Sequence, residues 1–319
     1  MTGGRVGEPA QPPGFVHQAL IYDSDEEFVA FAVPFLSEGA AAGQPTVLSV
    51  EGRLRRRVRD ELGPLSGVTF VDDDDRRWLE ALRGSYAEYA RRVDAGASQI
   101  RVLGGSSRDP WHDWVRFEAS INRLFSAFPL WGVCPYDTRV SADDVLQDVV
   151  RTHPYVTVDG GRMSPNACFE DPVAFLNQRA QAAADPLERC QPDVELFDPV
   201  PAAARTAVTE VARQTRLERD EAEAVRLSVG EVVTNAVRHG RPPVHVSIWA
   251  APDRVVVIVR DNGPGPGDPF VGLLPLDPLA GQDDANPLHV IRHAVSDVSL
   301  FTDVWGFFTT RLVQRISTG

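Results

Sequence analysis

Glu231 and Asn235 stand four residues apart, near the end of a run in which Leu227, Val232, Val233, Ala236 and Val237 recur at helical spacing and Gly240 provides a stop. On a helix that spacing puts both side chains on one face. A carboxamide oxygen can ligate a hard cation at a phosphate, and a carboxylate one turn away can orient or deprotonate a nucleophile. About twenty residues on, Asp261-Asn262-Gly263-Pro264-Gly265 follows an apolar strand pattern at 254–260. It supplies an acid and then glycines that let a ligand approach the backbone closely. Each piece alone is weak: Glu-x-x-x-Asn falls on many helices by chance, and Asp-Asn-Gly is an ordinary turn.

The elements that must hold these residues belong to a chain of 319 residues, room for about two domains. With 43% hydrophobic and 24% charged residues, each half can build a core. No apolar run approaches the length of a membrane span, and the N-terminus lacks a basic-then-apolar leader, so a cytoplasmic protein without membrane contact is expected. Cys134, Cys168 and Cys190 form no close pair, which fits a reducing compartment better than a disulfide framework. A net charge of −13 argues against nucleic acid as a partner. Every basic residue apart from histidine is arginine. That excludes a Walker-type P-loop and Schiff-base chemistry, both of which need lysine.

After a disordered lead-in at 1–14, strands and helices alternate from His17 to Thr152, the pattern of an α/β parallel sheet with helices on both faces. Ser24 with Glu27 three residues later reads as a capping box opening a helix that reaches about Ala42. Ligands of such sheets sit at the C-terminal strand ends, where Asp23, Asp72–Asp75, Gly104-Gly105 and Pro135-Tyr136-Asp137 would gather. The acidic run reads either as a metal site or as a solvated turn. His17, Cys134 and His153 read either as sensing or ligand residues, or as a buried strand cysteine with strand- and cap-position histidines. A helix at 171–184 would complete a first domain at 15–184, and Asp185–Asp193, with two prolines, reads as a linker. In the second domain, 194–319, amphipathic helices at 201–215 and 219–238 precede strands at 244–249 and 254–260. An irregular Pro-, Gly- and Asp-rich stretch at 268–286 has the length of a functional lid. A helix at 287–295 and two closing strands complete a helix layer on one mixed sheet.

In this order, Val229-Gly230-Glu231-Val232-Val233-Thr234-Asn235-Ala236-Val237-Arg238-His239-Gly240 and Asp261-x-Gly263-x-Gly265 resemble the N box and first glycine box of the Bergerat-type ATPases. Among these the wording looks most like the RsbW-type anti-sigma kinases. The first half resembles the MEDS sensory domain, RecA-like but without a P-loop. The residues carrying that likeness are His17-Gln18-Ala19-Leu20-Ile21-Tyr22, Gly39, Gly43, Cys134-Pro135-Tyr136-Asp137 and Arg151-Thr152-His153-Pro154. Together the two halves resemble an anti-sigma factor of the RsbA-family regulatory type. The resemblance implies ATP with Mg²⁺ as cofactors. Asn235 would ligate the Mg²⁺, Glu231 would activate the attacking hydroxyl, Asp261 would accept the adenine amino group, and Gly263 and Gly265 would give the nucleotide room. It also implies a sigma factor and an anti-anti-sigma (STAS-type) protein as partners, with self-association into a homodimer as a further option, and ligand sensing in the first half.

One departure stands out. Relatives carry a Gly-x-Gly-Leu phosphate box where this chain reads Asn286-Pro287-Leu288-His289-Val290, and the lid 266–286 contains no arginine or lysine. Two functions therefore stay open: a serine/threonine kinase acting in partner switching, or a catalytically inactive interaction module whose partner is set by a ligand of the first domain.

Overall fold

The computed structural model describes residues 14–63, 67–71, 77–105, 111–158, 161–274 and 287–316. The lead-in up to residue 13, the acidic run Asp72–Asp75 and the later part of the lid, 275–286, lie outside these residues. The chain divides into two compact units, Met1–Pro172 and Val173–Gly319.

The first unit runs β1 (Val16–Tyr22), α1 (Asp25–Ala41), β2 (Thr46–Ser49), α2 (Gly52–Leu62), β3 (Val68–Phe70), α3 (Trp78–Asp94), β4 (Ile100–Gly104), α4 (Trp111–Leu124), β5 (Leu130–Asp137), α5 (Asp143–Thr152), β6 (Tyr155–Val158) and β7 (Arg162–Pro165). Its seven strands lie in the order β3-β2-β4-β5-β1-β6-β7, parallel except for β7, which runs against β6. The α1 start keeps half of the expected capping box: the Ser24 hydroxyl accepts from the Glu27 amide, while the Glu27 carboxylate accepts from the amide of Asp23, one residue before the cap, and not from that of Ser24. Successive β1 residues point to opposite faces. Leu20 and Tyr22 pack with Phe28 and Leu36 of α1 and Leu54 of α2. Ala19 packs on the other face with Val145 and Val149 of α5. Helices therefore cover both faces, as the alternating pattern requires. The C-terminal strand ends are closed by an ion-pair network. Arg139 bridges Asp25 and Asp137, and Arg53 and Arg57 also reach Asp25. The β6–β7 hairpin escaped the sequence reading because its four-residue strands are half-buried and show no clear alternation.

In the second unit come α6 (Pro172–Ala182), β8 (Val194–Phe197), α7 (Pro201–Ala212), α8 (Arg219–His239), β9 (His245–Ala251), β10 (Arg254–Asp261), α9 (Pro287–Ala294), β11 (Asp297–Thr302) and β12 (Phe308–Arg315). The sheet order is β11-β12-β10-β9-β8. Every pairing is antiparallel, where a mixed sheet was expected. Direct β9–β10 and β11–β12 connections impose two of the four pairings. Val255, Val257 and Val259 of β10 face Val208 of α7 and Val225, Val229 and Val233 of α8. Burying each such side chain stabilises by about 1.5–3 kcal/mol.

The opposite face of β10 is covered as well, which is why its sequence is continuously apolar. Val256 and Ile258 pack with Trp249, Val313 and Leu187. Leu187 belongs to a 3-10 turn, Pro186–Arg189, inside the stretch expected to be a linker. That stretch is a tightly bound strap on the second unit. Arg311, 3% exposed, donates to the carbonyls of Ala180 and Ala183 and to Glu188. Arg254 pairs with Asp185 at 2.9 Å, and the Trp249 indole donates to Cys190 O at 3.0 Å. The division between units thus falls at 172, ahead of α6, and not at 184. Arginines of β10 and β12 need partners on that face, and the 180–190 segment supplies them.

Candidate functional site

The end of α8 and the end of β10 meet at Asp261. Its side chain is 4% exposed, and Oδ1 accepts from the Gly263 amide at 2.6 Å and the Arg241 amide at 3.3 Å. Two glycines make room for that carboxylate. A Cβ on Gly240 would lie 2.4 Å from Oδ1, and one on Gly263 would lie 2.6 Å from it and 2.7 Å from Gly240 Cα. Gly240, read from sequence as a helix stop alone, is therefore also part of the Asp261 nest. Among the described residues Oδ2 has no hydrogen-bond partner.

Beside Asp261 opens a cavity of about 300 Å³. Val232, Asn235, Ala236 and His239 of α8 line one wall, Val259, Leu300, Phe308 and Thr310 of the sheet another, and Gly265, Pro266, Pro287 and Leu288 the rim. The walls are apolar, with Asp261 and the unpaired Asn235 carboxamide as convergent polar groups, the composition of a small-molecule site. Gly265 has φ +63°, and a Cβ there would sit 2.2 Å from Phe308 Cδ2, so only glycine lets the loop lie on that ring. Of the residues singled out in this half, Asn235, Asp261 and Gly265 line the cavity, while Gly263 shapes it from behind. Glu231 is exposed and lies outside the lining.

Where the second glycine box is missing, the departure seen in the sequence has a structural counterpart. Helix α9 opens on Pro287, and its first turn is abutted by Gly272, where a Cβ would lie 2.7 Å from the His289 amide nitrogen. The segment after the glycine box is pinned down by Arg292, 6% exposed, which donates to the carbonyls of Pro269, Val271 and Val298. Sequence reading did not single out Arg292. Its signal is a charged residue beside Ile291 in a short apolar helix.

In the first unit His17, Cys134 and His153 come together around a fourth residue, Glu118, that the sequence reading missed. All four are buried, and their ligand-type atoms lie within 4.8 Å of one another. His17 Nε2 is 3.1 Å and His153 Nε2 3.5 Å from Glu118 Oε2. Cys134 Sγ is 3.4 Å from His17 Nε2 and 3.5 Å from Glu118 Oε2. Register explains the meeting: Cys134 lies beside Ala19, and His17 projects to the same face two residues earlier. Burial pushes both imidazoles down, His17 to about 4 and His153 to about 3, and raises the Glu118 carboxyl and the Cys134 thiol. Glu118 had a legible signal. It is an acid among Trp114, Val115, Ala119 and Ile121, on the buried side of α4.

Among the described residues no helix is long and apolar enough to cross a membrane. Of curated proteins none matches the chain. Many solved structures are similar over parts of it, and three of them illustrate the likeness. The RsbU and RsbW domains of Rv1364c from Mycobacterium tuberculosis are 18% identical over 40% of this chain and 34% of that one, with a TM-score of 0.28. The histidine kinase domain of the E. coli osmosensor EnvZ is 20% identical over 41% of this chain and 92% of that one, TM-score 0.25. The cytoplasmic domain of EssC is 10% identical over 46% and 31%, TM-score 0.29. The chain thus spans about a third of the first structure's length. Two family models match: the MEthanogen/methylotroph, DcmR sensory (MEDS) domain over residues 16–154, and the histidine kinase-like ATPase domain over 198–302. The chain therefore joins a MEDS-type sensory domain to a histidine kinase-like ATPase domain.

Proposed function

We propose that the second unit binds an adenine nucleotide in the cavity beside Asp261, and that the protein is an anti-sigma-type regulator whose first unit senses a signal. The observation that carries the reading is the Asp261 nest. One carboxylate oxygen is spent on the Gly263 and Arg241 amides, and the other, without a partner among the described residues, belongs to a side chain that lines an apolar slot, as an acceptor for an exocyclic amine would. Asn235, unpaired and lining the same cavity, would ligate a phosphate-bound Mg²⁺ through its carboxamide oxygen. Glu231, exposed one turn earlier, is accessible to a hydroxyl presented by a partner protein. In the active form the reaction would be in-line transfer of the γ-phosphoryl group to a serine or threonine of a STAS-type antagonist, so that the antagonist lets go and the unit is free to hold a sigma factor.

The abutment of Gly272 on the first turn of α9 favours a second reading. Here the nucleotide is held by its base alone, no phosphoryl group is transferred, and the unit is a binding module. Calorimetric titration of the full chain with ATP and Mg²⁺, beside Asp261→Asn, tests the shared premise. Micromolar binding lost in the variant supports it, and folded protein silent at millimolar ATP sinks it. Transfer of γ-phosphate to a STAS-type protein then separates the two readings.

A further inference from the structure

We infer that the first unit holds a buried divalent transition-metal ion, zinc by its donor set, ligated by His17 Nε2, Glu118 Oε2, Cys134 Sγ and His153 Nε2. Lone-pair direction carries the inference. Asn122 donates its Nδ2 to the carbonyls of Glu118 and Thr152, at 3.1 and 2.7 Å, which turns its Oδ1 toward His17 Nδ1, 3.0 Å away. An amide oxygen only accepts, so His17 carries its proton on Nδ1 and a lone pair on Nε2. His153 Nδ1 lies 2.8 Å from the Val149 carbonyl, again an acceptor, so its proton is on Nδ1 too. Both Nε2 lone pairs therefore aim at a carboxylate oxygen that is itself an acceptor.

His153 Nε2 is fully buried and has no hydrogen-bond partner. With Glu118 ionised, four acceptor atoms converge with a single S–H among them and the Tyr136 hydroxyl beside the carboxylate as a further donor, an arrangement that a central positive charge completes. Outer-shell hydrogen bonds of this kind, Nδ1–H to a carbonyl oxygen with Nε2 turned inward, are how proteins orient histidines toward zinc.

The distances agree. Bonds of about 2.0–2.3 Å to a tetrahedral zinc place ligand atoms about 3.3–3.6 Å apart. Four of the six pairs here are 3.1, 3.4, 3.5 and 3.5 Å, and none exceeds 4.8 Å. Charge agrees too, since one carboxylate and one thiolate balance a divalent cation and leave a buried site neutral. With four protein ligands and exposure of 0–6% at every one, the tetrahedron has no open position. It is a closed site that ties β1, α4, β5 and the end of α5 together.

The test uses the full chain, purified without added chelator, with metal counted by inductively coupled plasma mass spectrometry. About one zinc per chain is expected, retained in Cys168→Ser and Cys190→Ser, whose cysteines are exposed. It should be lost in Cys134→Ser/His153→Ala. Because that variant can fail to fold, the wild-type chain is also stripped under mild denaturant and refolded with Co²⁺. Thiolate-to-cobalt charge transfer and tetrahedral d–d bands should appear at one equivalent, with a rise in melting temperature over the stripped protein. Folded protein that carries no metal and shows neither cobalt bands nor a thermal shift would overturn the inference. So would one equivalent of zinc that survives in a folded Cys134→Ser/His153→Ala protein.

Discussion

The Asp261 carboxylate accepts the amide of Gly263, two residues on, at 2.6 Å, so the acid that faces the cavity also folds the loop that borders it. Binding and loop geometry are coupled at that one oxygen. Asp261→Asn can keep the loop contact with its remaining oxygen while replacing the free acceptor by a donor. Nucleotide affinity should fall about 10- to 100-fold with little change in melting temperature, read by calorimetry and thermal unfolding together.

Gly265→Ala should do the reverse and damage the fold itself. Positive φ and the Phe308 ring at 2.2 Å from the added carbon leave no relaxed conformation. A loss of about 2 kcal/mol is expected, measured by urea unfolding and accompanied by loss of nucleotide binding.

Glu231→Gln is expected to leave ATP affinity unchanged, because Glu231 is exposed and outside the cavity lining. If the unit is a kinase, the same variant should lose transfer to a STAS-type protein by at least about a hundredfold. Transfer at the wild-type rate would remove Glu231 from the chemistry.

Asp185 predicts a pH dependence. Burial acts to raise its pKa, but the Arg254 guanidinium and the Leu187 amide outweigh it, helped by Arg315, and hold the carboxyl below its ordinary 3.8. A depressed folded-state pKa gives stability that is complete above 3.8 and is lost as pH falls through the folded value. Acid unfolding followed by tryptophan fluorescence should show that slope in the wild type and a shallower one in Asp185→Asn.

Glu188→Ala removes the charged partner of buried Arg311 and should destabilise the second unit by about 3 kcal/mol in urea. A smaller loss in Glu188→Ala/Arg311→Met than in Glu188→Ala alone would show that the orphaned guanidinium, not lost packing, sets the cost.

What sequence revealed divides along range of interaction. The end of α8, the strand at 254–260 and the N-cap at Ser24 are written in local sequence, and they stand where expected. The MEDS and ATPase likenesses rested on short motifs, and family models match both regions. Glu118 was invisible as a partner of His17 because 101 residues separate them, and only sheet register and the α4 crossover bring them together. The strap was misread for a related reason. Prolines at 186 and 192 suggest a linker, whereas its binding energy resides in arginines more than sixty residues downstream, at 254 and 311.

That strap has a practical consequence for anyone who wishes to study the ATPase half alone. A fragment begun at residue 194, where the first strand of its sheet starts, would leave Ile258, Val256 and Trp249 as a bare oily floor and strand the Arg311 guanidinium without its anion. Such a fragment should be sticky and short-lived in solution. Begun at residue 173, it takes its own lining with it.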